Sequence, residues 1–182
     1  MKKIIIILIS LTFFIACSEV EELKSIDPDY GFEDEIPDYE KQSDLLFWIS
    51  THLYHDGGSS SWQTAIQTWD RTYQVSGNSK IFHLGDCEDG AIFTLYLLRK
   101  KFNIQGYLVR VRIKRNDHAH AIAYLADTDT YLEPFDHNQY IIPDVNTEYE
   151  VNEMIPYGEA MYMAEQGHYI KADQNDPLLD IF

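Results

Sequence analysis

Hydrophobic and polar positions follow clear periods over the middle of the chain. Between residues 43 and 53, apolar side chains recur at three- and four-residue intervals behind a capping serine or aspartate, which predicts a helix. Residues 62–73 fit a helix less well because threonines interrupt their apolar face. Residues 74–85 contain Gly77, Asn78 and Gly85 and are predicted to be mostly irregular.

The strongest helix pattern lies over residues 88–101. Ala91, Leu95 and Leu98 fall on one face, and three basic residues at 99–101 suit the negative end of the helix dipole. The sequence therefore predicts a well-packed helix here.

Strand patterns follow this helix. Residues 107–115 alternate strictly between apolar and polar, residues 118–125 repeat with a period of two, and residues 130–135 form a third candidate. Turn residues separate the three segments, so the strands are expected to pair in an antiparallel manner. A helix followed by such a meander predicts an α+β domain. Further on the pattern is weak, and residues 151–165 are compatible with a helix.

The first residues have the pattern of an export signal. Two lysines precede an apolar run over residues 4–16, which is too short for a comfortable membrane span and ends at Cys17. Ala16-Cys17 resembles the end of a bacterial lipobox, which implies a lipidated Cys17 in the cell envelope, at the periplasmic face or the cell surface. An ordinary secretory peptide with an unmodified Cys17 is the alternative.

The predicted organisation has three parts. Residues 1–16 are a lipoprotein signal peptide, residues 17–42 an acidic membrane tether, and residues 43–182 one folded domain, expected to be a monomer. The tether is predicted because ten of residues 18–40 are acidic and apolar periodicity is lacking.

Charge restricts the partners. The chain carries 30 acidic against 14 basic residues, a formal net charge of −16. Nucleic acid is excluded because its phosphates would be repelled, and an anionic membrane is expected to be reached only through the lipid. Basic or neutral peptide segments, or divalent cations, fit the overall charge better.

Cys87 is the candidate nucleophile. If Cys17 is lipidated, Cys87 has no disulfide partner, because the chain has two cysteines. A thiol at the start of a helix faces free backbone N–H groups, which favour the thiolate. His118, His120 and Asp136 lie downstream and could complete a Cys-His-Asp system. The alternative is a small buried core cysteine without a chemical role.

The segment Gly85-Asp86-Cys87-Glu88-Asp89 closely resembles the cysteine signature of the bacterial transglutaminase-like cysteine proteinases. Residues 47–54 and 69–72 also resemble that family's approach to the cysteine, and the likeness covers residues 43–140. It implies a papain/transglutaminase-like core, with the cysteine heading a helix packed on an antiparallel sheet. Gly90 replaces the family's common tyrosine, and residues 137–139 lack the aromatic or proline context usual after the acid.

Carried over residue by residue, the resemblance implies a catalytic triad. Cys87 would be the nucleophile, His120 the base, with His118 as the alternative, and Asp136 the group that orients the base. The implied function is a membrane-anchored cysteine peptidase or amidohydrolase that cleaves peptide substrates through a thioacyl intermediate. A protein-glutamine acyltransferase and a non-catalytic lipoprotein that binds a protein partner are the alternatives.

Two features of the predicted site stay open. The backbone N–H of Cys87 could stabilise an oxyanion, and Gln63, Trp62 and Trp69 are candidates for a second donor. Three carboxylates crowd the thiol, namely those of Asp86, Glu88 and Asp89.

These acids oppose a thiolate, so we expect them to cap the helix or, at Asp86 and Glu88, to bind calcium. The triad itself requires no cofactor. We nevertheless expect the pKa of Cys87 to be lowered by an imidazolium partner.

Overall fold

A computed structural model describes residues 30–56, 61–74, 80–136 and 140–167. The predicted signal peptide, the lipidation site at Cys17 and the first part of the predicted tether lie outside these residues. Within the described ranges, no helix has the length and apolar character needed to cross a bilayer.

The described residues form an α+β domain with two β-sheets, which confirms the predicted class. The helices are α1 (Gln42–His52), α2 (Ala65–Asp70), α3 (Cys87–Phe102), α4 (Val145–Glu148) and α5 (Tyr157–Glu165). The strands are β1 (Leu53–His55), β2 (Thr72–Gln74), β3 (Ile81–Gly85), β4 (Gly106–Ile113), β5 (His118–Leu125), β6 (Thr130–Leu132), β7 (Ile141–Ile142) and β8 (Tyr149–Pro156).

The larger sheet is antiparallel, with the strand order β7-β6-β5-β4-β8. Its centre is the predicted meander of β4, β5 and β6. The strand β8 pairs with the outer edge of β4, so the helix predicted over residues 151–165 is correct only for its second half. A register shift opposite Arg110 and Val111 breaks the alternation of β8, which hides the strand in the sequence.

The smaller sheet has the order β1-β3-β2, with β1 parallel and β2 antiparallel to β3. The strand β3 lies in the segment predicted to be irregular. It has five residues, too few for a period of two to show clearly, and only one of its two partners, β2, is the neighbouring strand in the sequence, so local periodicity does not reveal it. Its importance is positional, because β3 ends at Gly85, just before the helix α3.

The helix α3 is the centre of the hydrophobic core. Ile92, Phe93 and Leu97 are completely buried, and the helix packs against β5 as well as α1, α2 and α5. Its start is fixed by a capping box, in which Asp86 accepts from the backbone N–H of Asp89 and the Asp89 side chain accepts from the N–H of Asp86. The predicted helix is confirmed, with its first residue at Cys87.

Part of the predicted tether belongs to the folded domain. Phe32 is 3% exposed and stacks on Phe93 and Tyr96 of α3, and Ile36 is buried nearby. The segment is acidic, yet its interspersed apolar side chains point into the core while most of its acids stay at the surface. The domain boundary predicted at residue 43 therefore falls inside the packed part of the chain.

Candidate active site

Cys87 lies where the first turn of α3 meets the edge of β5. The side chain is 3% exposed, and the backbone N–H of Ala121 donates to its Sγ. That N–H is available because β6 pairs with β5 only over Ala123–Leu125. The nucleophile helix is thereby brought next to the strand that carries both candidate histidines.

The thiol of Cys87 is held in its neutral form. Burial raises the pKa of Cys87 well above its usual value, and the neighbouring charge of Glu88, a hydrogen bond to Glu88 and the charge of Asp86 raise it further. The thiol donates to Glu88 Oε2 at 2.8 Å, while the Ala121 N–H has the opposite, smaller effect. The predicted lowering of this pKa is wrong for the described arrangement, because burial and the adjacent acid outweigh the helix N-terminus.

His120 projects from β5 on the side opposite the small alanines that face α3. Its Nε2 lies 2.5 Å from Glu133 Oε2, and its ring is nearly parallel to that of Tyr149 at a centroid distance of 6.2 Å. The other predicted histidine, His118, lies two residues away on the same face and is exposed. A half-buried ring held by a carboxylate is the arrangement expected of an oriented base, so the geometry favours His120.

Glu133 has the position for which the sequence predicts Asp136. The pairing of Ala123 with Leu132 continues to place residue 133 on the same sheet face as His120. Asp136 comes after a turn in which its N–H donates to the Glu133 carbonyl, and it lines the cleft beside His120. The structure thus brings Asp136 into the site, while the carboxylate on the His120 ring is that of Glu133.

A signal for Glu133 is present in the sequence. It is followed by Pro134 and Phe135, the proline and aromatic context that the resembled family has after its acid and that Asp136 lacks. The strand period also places residue 133 on the histidine face. The spacing from His120 favours Asp136, whereas the proline and aromatic context and the strand period both favour Glu133.

Further donors fix the Glu133 carboxylate. The Tyr149 hydroxyl donates to Oε2 at 3.4 Å, and the backbone N–H of Phe135 donates to Oε1 at 3.4 Å. Burial, followed by the charge of Glu133, raises the pKa of Tyr149, so its hydroxyl stays a donor at neutral pH. The Glu133 carboxylate is therefore held by Tyr149 and by the Phe135 backbone as well as by His120.

An open cleft of about 660 Å³ lies in front of His120. Among the described residues its lining comprises Ile113, Lys114, Arg115, His120, Glu133, Phe135, Asp136, Thr147, Glu148 and Tyr149. Cys87 does not belong to that lining. The cleft therefore reaches the candidate base, while the thiol lies behind it at the strand edge.

The three candidate oxyanion donors have different positions. Gln63 lies at the first turn of α3, where its backbone N–H and its Nε2 donate to the Asp89 carboxylate at 2.7 and 2.6 Å. Trp62, the residue before Gln63, is also buried. The Trp69 ring instead stacks on His83 and Phe32 in the aromatic core. Gln63 is thus bonded directly to the first turn of α3.

The proposed calcium ligands have other contacts. Asp86 caps α3 through the Asp89 N–H at 3.2 Å, and the Glu88 carboxylate accepts from the thiol. In the parts of the chain that the structure describes, no three such side chains are gathered as metal ligands. The expected capping role of Asp86 is confirmed, and calcium binding by Asp86 and Glu88 stays a prediction.

Comparisons with protein-family models, with curated proteins and with solved structures give no match to this chain. The likeness to transglutaminase-like proteinases therefore rests on the residues themselves, above all on the segment around Cys87.

Proposed function

We propose that this protein is a cysteine peptidase or amidohydrolase with a papain/transglutaminase-like core, in which Cys87 is the nucleophile, His120 the base and Glu133 the orienting acid. The observation that carries the proposal is the 2.5 Å contact of His120 with Glu133, at a cleft beside the strand edge where Cys87 starts a helix. A half-buried carboxylate on one imidazole nitrogen leaves the other nitrogen to exchange protons.

The first half of the reaction forms a thioester. His120 takes the Cys87 proton on its remaining ring nitrogen, Nδ1, while Sγ attacks the carbonyl carbon of the substrate amide. The imidazolium is stabilised by Glu133. When the tetrahedral intermediate collapses, the C–N bond breaks and the leaving amine receives the proton from His120.

The second half regenerates the enzyme. His120 takes a proton from water as the water oxygen attacks the thioester, and the acid product leaves when the bond to Sγ breaks. The proton returns from His120 to the sulfur. The Cys87 backbone N–H at the start of α3 is available as an oxyanion donor, and Gln63 is the candidate for the second.

The neutral thiol decides which form of this mechanism applies. Because the pKa of Cys87 is raised, a preformed thiolate–imidazolium pair is not the expected resting state. We propose instead that proton transfer to His120 accompanies attack, after the substrate has displaced the contact between the thiol and Glu88.

A non-catalytic lipoprotein is the second candidate. It is favoured by one observation, namely that the thiol is buried and hydrogen-bonded to a carboxylate. In that case the cleft beside His120 would bind a partner, and the imidazole–carboxylate pair would serve only to hold β5 and β6 together.

Acylation of Cys87 separates the two candidates. The full chain, solubilised in detergent, is treated with 4-nitrophenyl acetate, quenched in acid and analysed by peptide mass spectrometry, so that acetyl groups on Cys87 are counted separately from those on other residues. We expect acetylation of Cys87 that turns over in the wild type and in His118→Ala. In His120→Ala it should slow by about 10²-fold.

The variant His118→Ala is the matched control, because it removes a histidine from the same strand face. A folded wild-type protein that never acetylates Cys87 would leave the binding lipoprotein as the better description. Synthetic peptides then test the substrate class, and added glycine ethyl ester tests amine transfer: appearance of the acyl group on its amine, as an amide, would identify an acyltransferase.

A further inference from the structure

We propose that the Phe135 ring closes the passage between the cleft and the Cys87 thiol, and that a substrate must displace this ring to be attacked. The proposal rests on the proposed function, in which the sulfur attacks a substrate. It concerns access to the sulfur atom, however, and can be tested without turnover.

The Phe135 ring lies directly on the first turn of α3. A Cβ atom placed on Gly90 would lie 2.3 Å from Phe135 Cε2 and 2.7 Å from its Cζ, so glycine is needed for the ring to come this close. The ring also meets His55 edge to face at a centroid distance of 5.2 Å. Phe135 is thus held between the end of β1 and the nucleophile helix.

Gly90 and Cys87 share a helix face. Residues three apart lie on the same side of an α-helix, so a ring that covers Gly90 is next to the side of the first turn that carries the thiol. Phe135 also belongs to the lining of the cleft, together with His120. Phe135 therefore stands between the cleft and the helix start.

The burial of the thiol agrees with this placement. Cys87 is 3% exposed, although the cleft beside it is open and reaches His120, the proposed partner of the thiol. Among the described residues, Phe135 is held by the hydrogen bond from its backbone N–H to Glu133, by its edge-to-face contact with His55 and by packing against the main hydrophobic core. Rotation of the side chain would connect the cleft with the thiol while leaving the pair of His120 and Glu133 in place.

The experiment compares two neutral thiol reagents of different size. Iodoacetamide and N-benzylmaleimide are reacted with the full chain in detergent, and labelling of Cys87 is followed by peptide mass spectrometry, separately from Cys17. The ratio of the two rates measures access, because the thiolate fraction enters both rates equally. We expect Phe135→Ala to raise the rate with the bulky reagent, relative to the small one, by about tenfold or more.

Gly90→Ala is a second route to the same result. Its methyl group would occupy the place of the ring edge and push Phe135 away, so the ratio should rise although no aromatic group is removed. Gly106→Ala is the matched control: its Cβ would lie 2.4 Å from Leu95 Cδ2, a comparable clash at the start of β4. Phe135→Leu, which retains bulk, should give an intermediate ratio.

The proposal is overturned if the ratios for Phe135→Ala and Gly90→Ala rise no more than that for Gly106→Ala. Loosening of the whole fold would raise all three alike. Should these ratios behave as expected while Cys87 is never acylated by 4-nitrophenyl acetate, the passage stands and the proposed catalysis fails, so the two conclusions can be lost independently.

Discussion

Glu133 contacts both His120 and Tyr149, and this sharing holds the His120 ring in one orientation. A carboxylate in that position fixes which ring nitrogen carries the proton and stabilises the imidazolium that forms during attack. Such an interaction strengthens during the reaction, so its loss affects the rate more than the stability of the fold.

We therefore expect Glu133→Gln to slow acylation of Cys87 by about 10²-fold or more, with a nearly unchanged melting temperature. Asp136→Asn, the matched change at the acid that the sequence predicts, should alter the rate by no more than about threefold. The measurement is the single-turnover acetylation rate at saturating reagent. A larger loss in Asp136→Asn than in Glu133→Gln would return the orienting role to Asp136.

The pH dependence of thiol labelling follows from the contact with Glu88. A thiol with a raised pKa gains its reactive thiolate only at higher pH, so iodoacetamide labelling of wild-type Cys87 should have its midpoint above the ordinary thiol value of about 8.5. Glu88→Gln removes the adjacent negative charge and should move the midpoint to lower pH.

Glu150→Gln, at an exposed acid on β8, is the control and should leave the midpoint unchanged. A wild-type midpoint well below 8.5 would instead support the thiolate that the sequence predicts. A midpoint unaffected by Glu88→Gln would show that Glu88 does not set the acidity of the thiol, which would leave burial and the charge of Asp86 as its causes.

Among the elements, α3 depends on one buried acid. Asp89 is completely buried and accepts from the backbone and side chain of Gln63 and from the backbone N–H of Asp86. Burial raises the pKa of Asp89 to about 6, although these donors act in the opposite direction. The acid thereby connects the start of the nucleophile helix to the segment before α2.

Asp89→Ala should lower the free energy of unfolding by about 3 kcal/mol or more, because buried N–H donors lose their acceptor. Asp70→Ala, at an exposed acid that ends α2, should change it by no more than about 0.5 kcal/mol. Urea denaturation at pH 7.5 measures both. Equal effects in the two variants would mean that water replaces the carboxylate at the helix start.

Most of the long helices and strands could be predicted from the sequence, whereas most of the short ones could not. The helix α3 and the strands β4 and β5 are long enough for their apolar periods to show, and the predicted meander is correct. The strands of the smaller sheet have three to five residues, which is too short for an apolar period to show, so no local pattern reveals them.

The site divides in the same way. The neighbourhood of Cys87 and β5 follows from a motif and a strand period, both of which are local. The state of the thiol does not, since it depends on how deeply the helix start is buried and on where the Glu88 side chain turns. The choice between Glu133 and Asp136 depends on the turn after β6, which brings one acid onto His120 and carries the other past it.

For the whole molecule, the predicted membrane attachment depends on Cys17. The sequence predicts a lipid there, and the acidic chain, with its formal net charge of −16, offers little attraction to an anionic bilayer. Cys17→Ala should therefore move the protein from the membrane fraction to the soluble fraction, measured by ultracentrifugation of cell lysates. A Cys17→Ala protein that stays with membranes in high salt would require another anchor.

The packing of Phe32 and Ile36 against the core sets how far the cleft can stand from a membrane. If the lipid is on Cys17, Tyr30, where the described domain begins, lies thirteen positions further along the chain, and thirteen fully extended steps span roughly 45 Å. A free segment up to residue 43 would allow roughly twice that distance. For the peptidase proposed above, the docked segment would thus limit the substrates to a thin layer above the bilayer, comparable in depth to the bilayer itself.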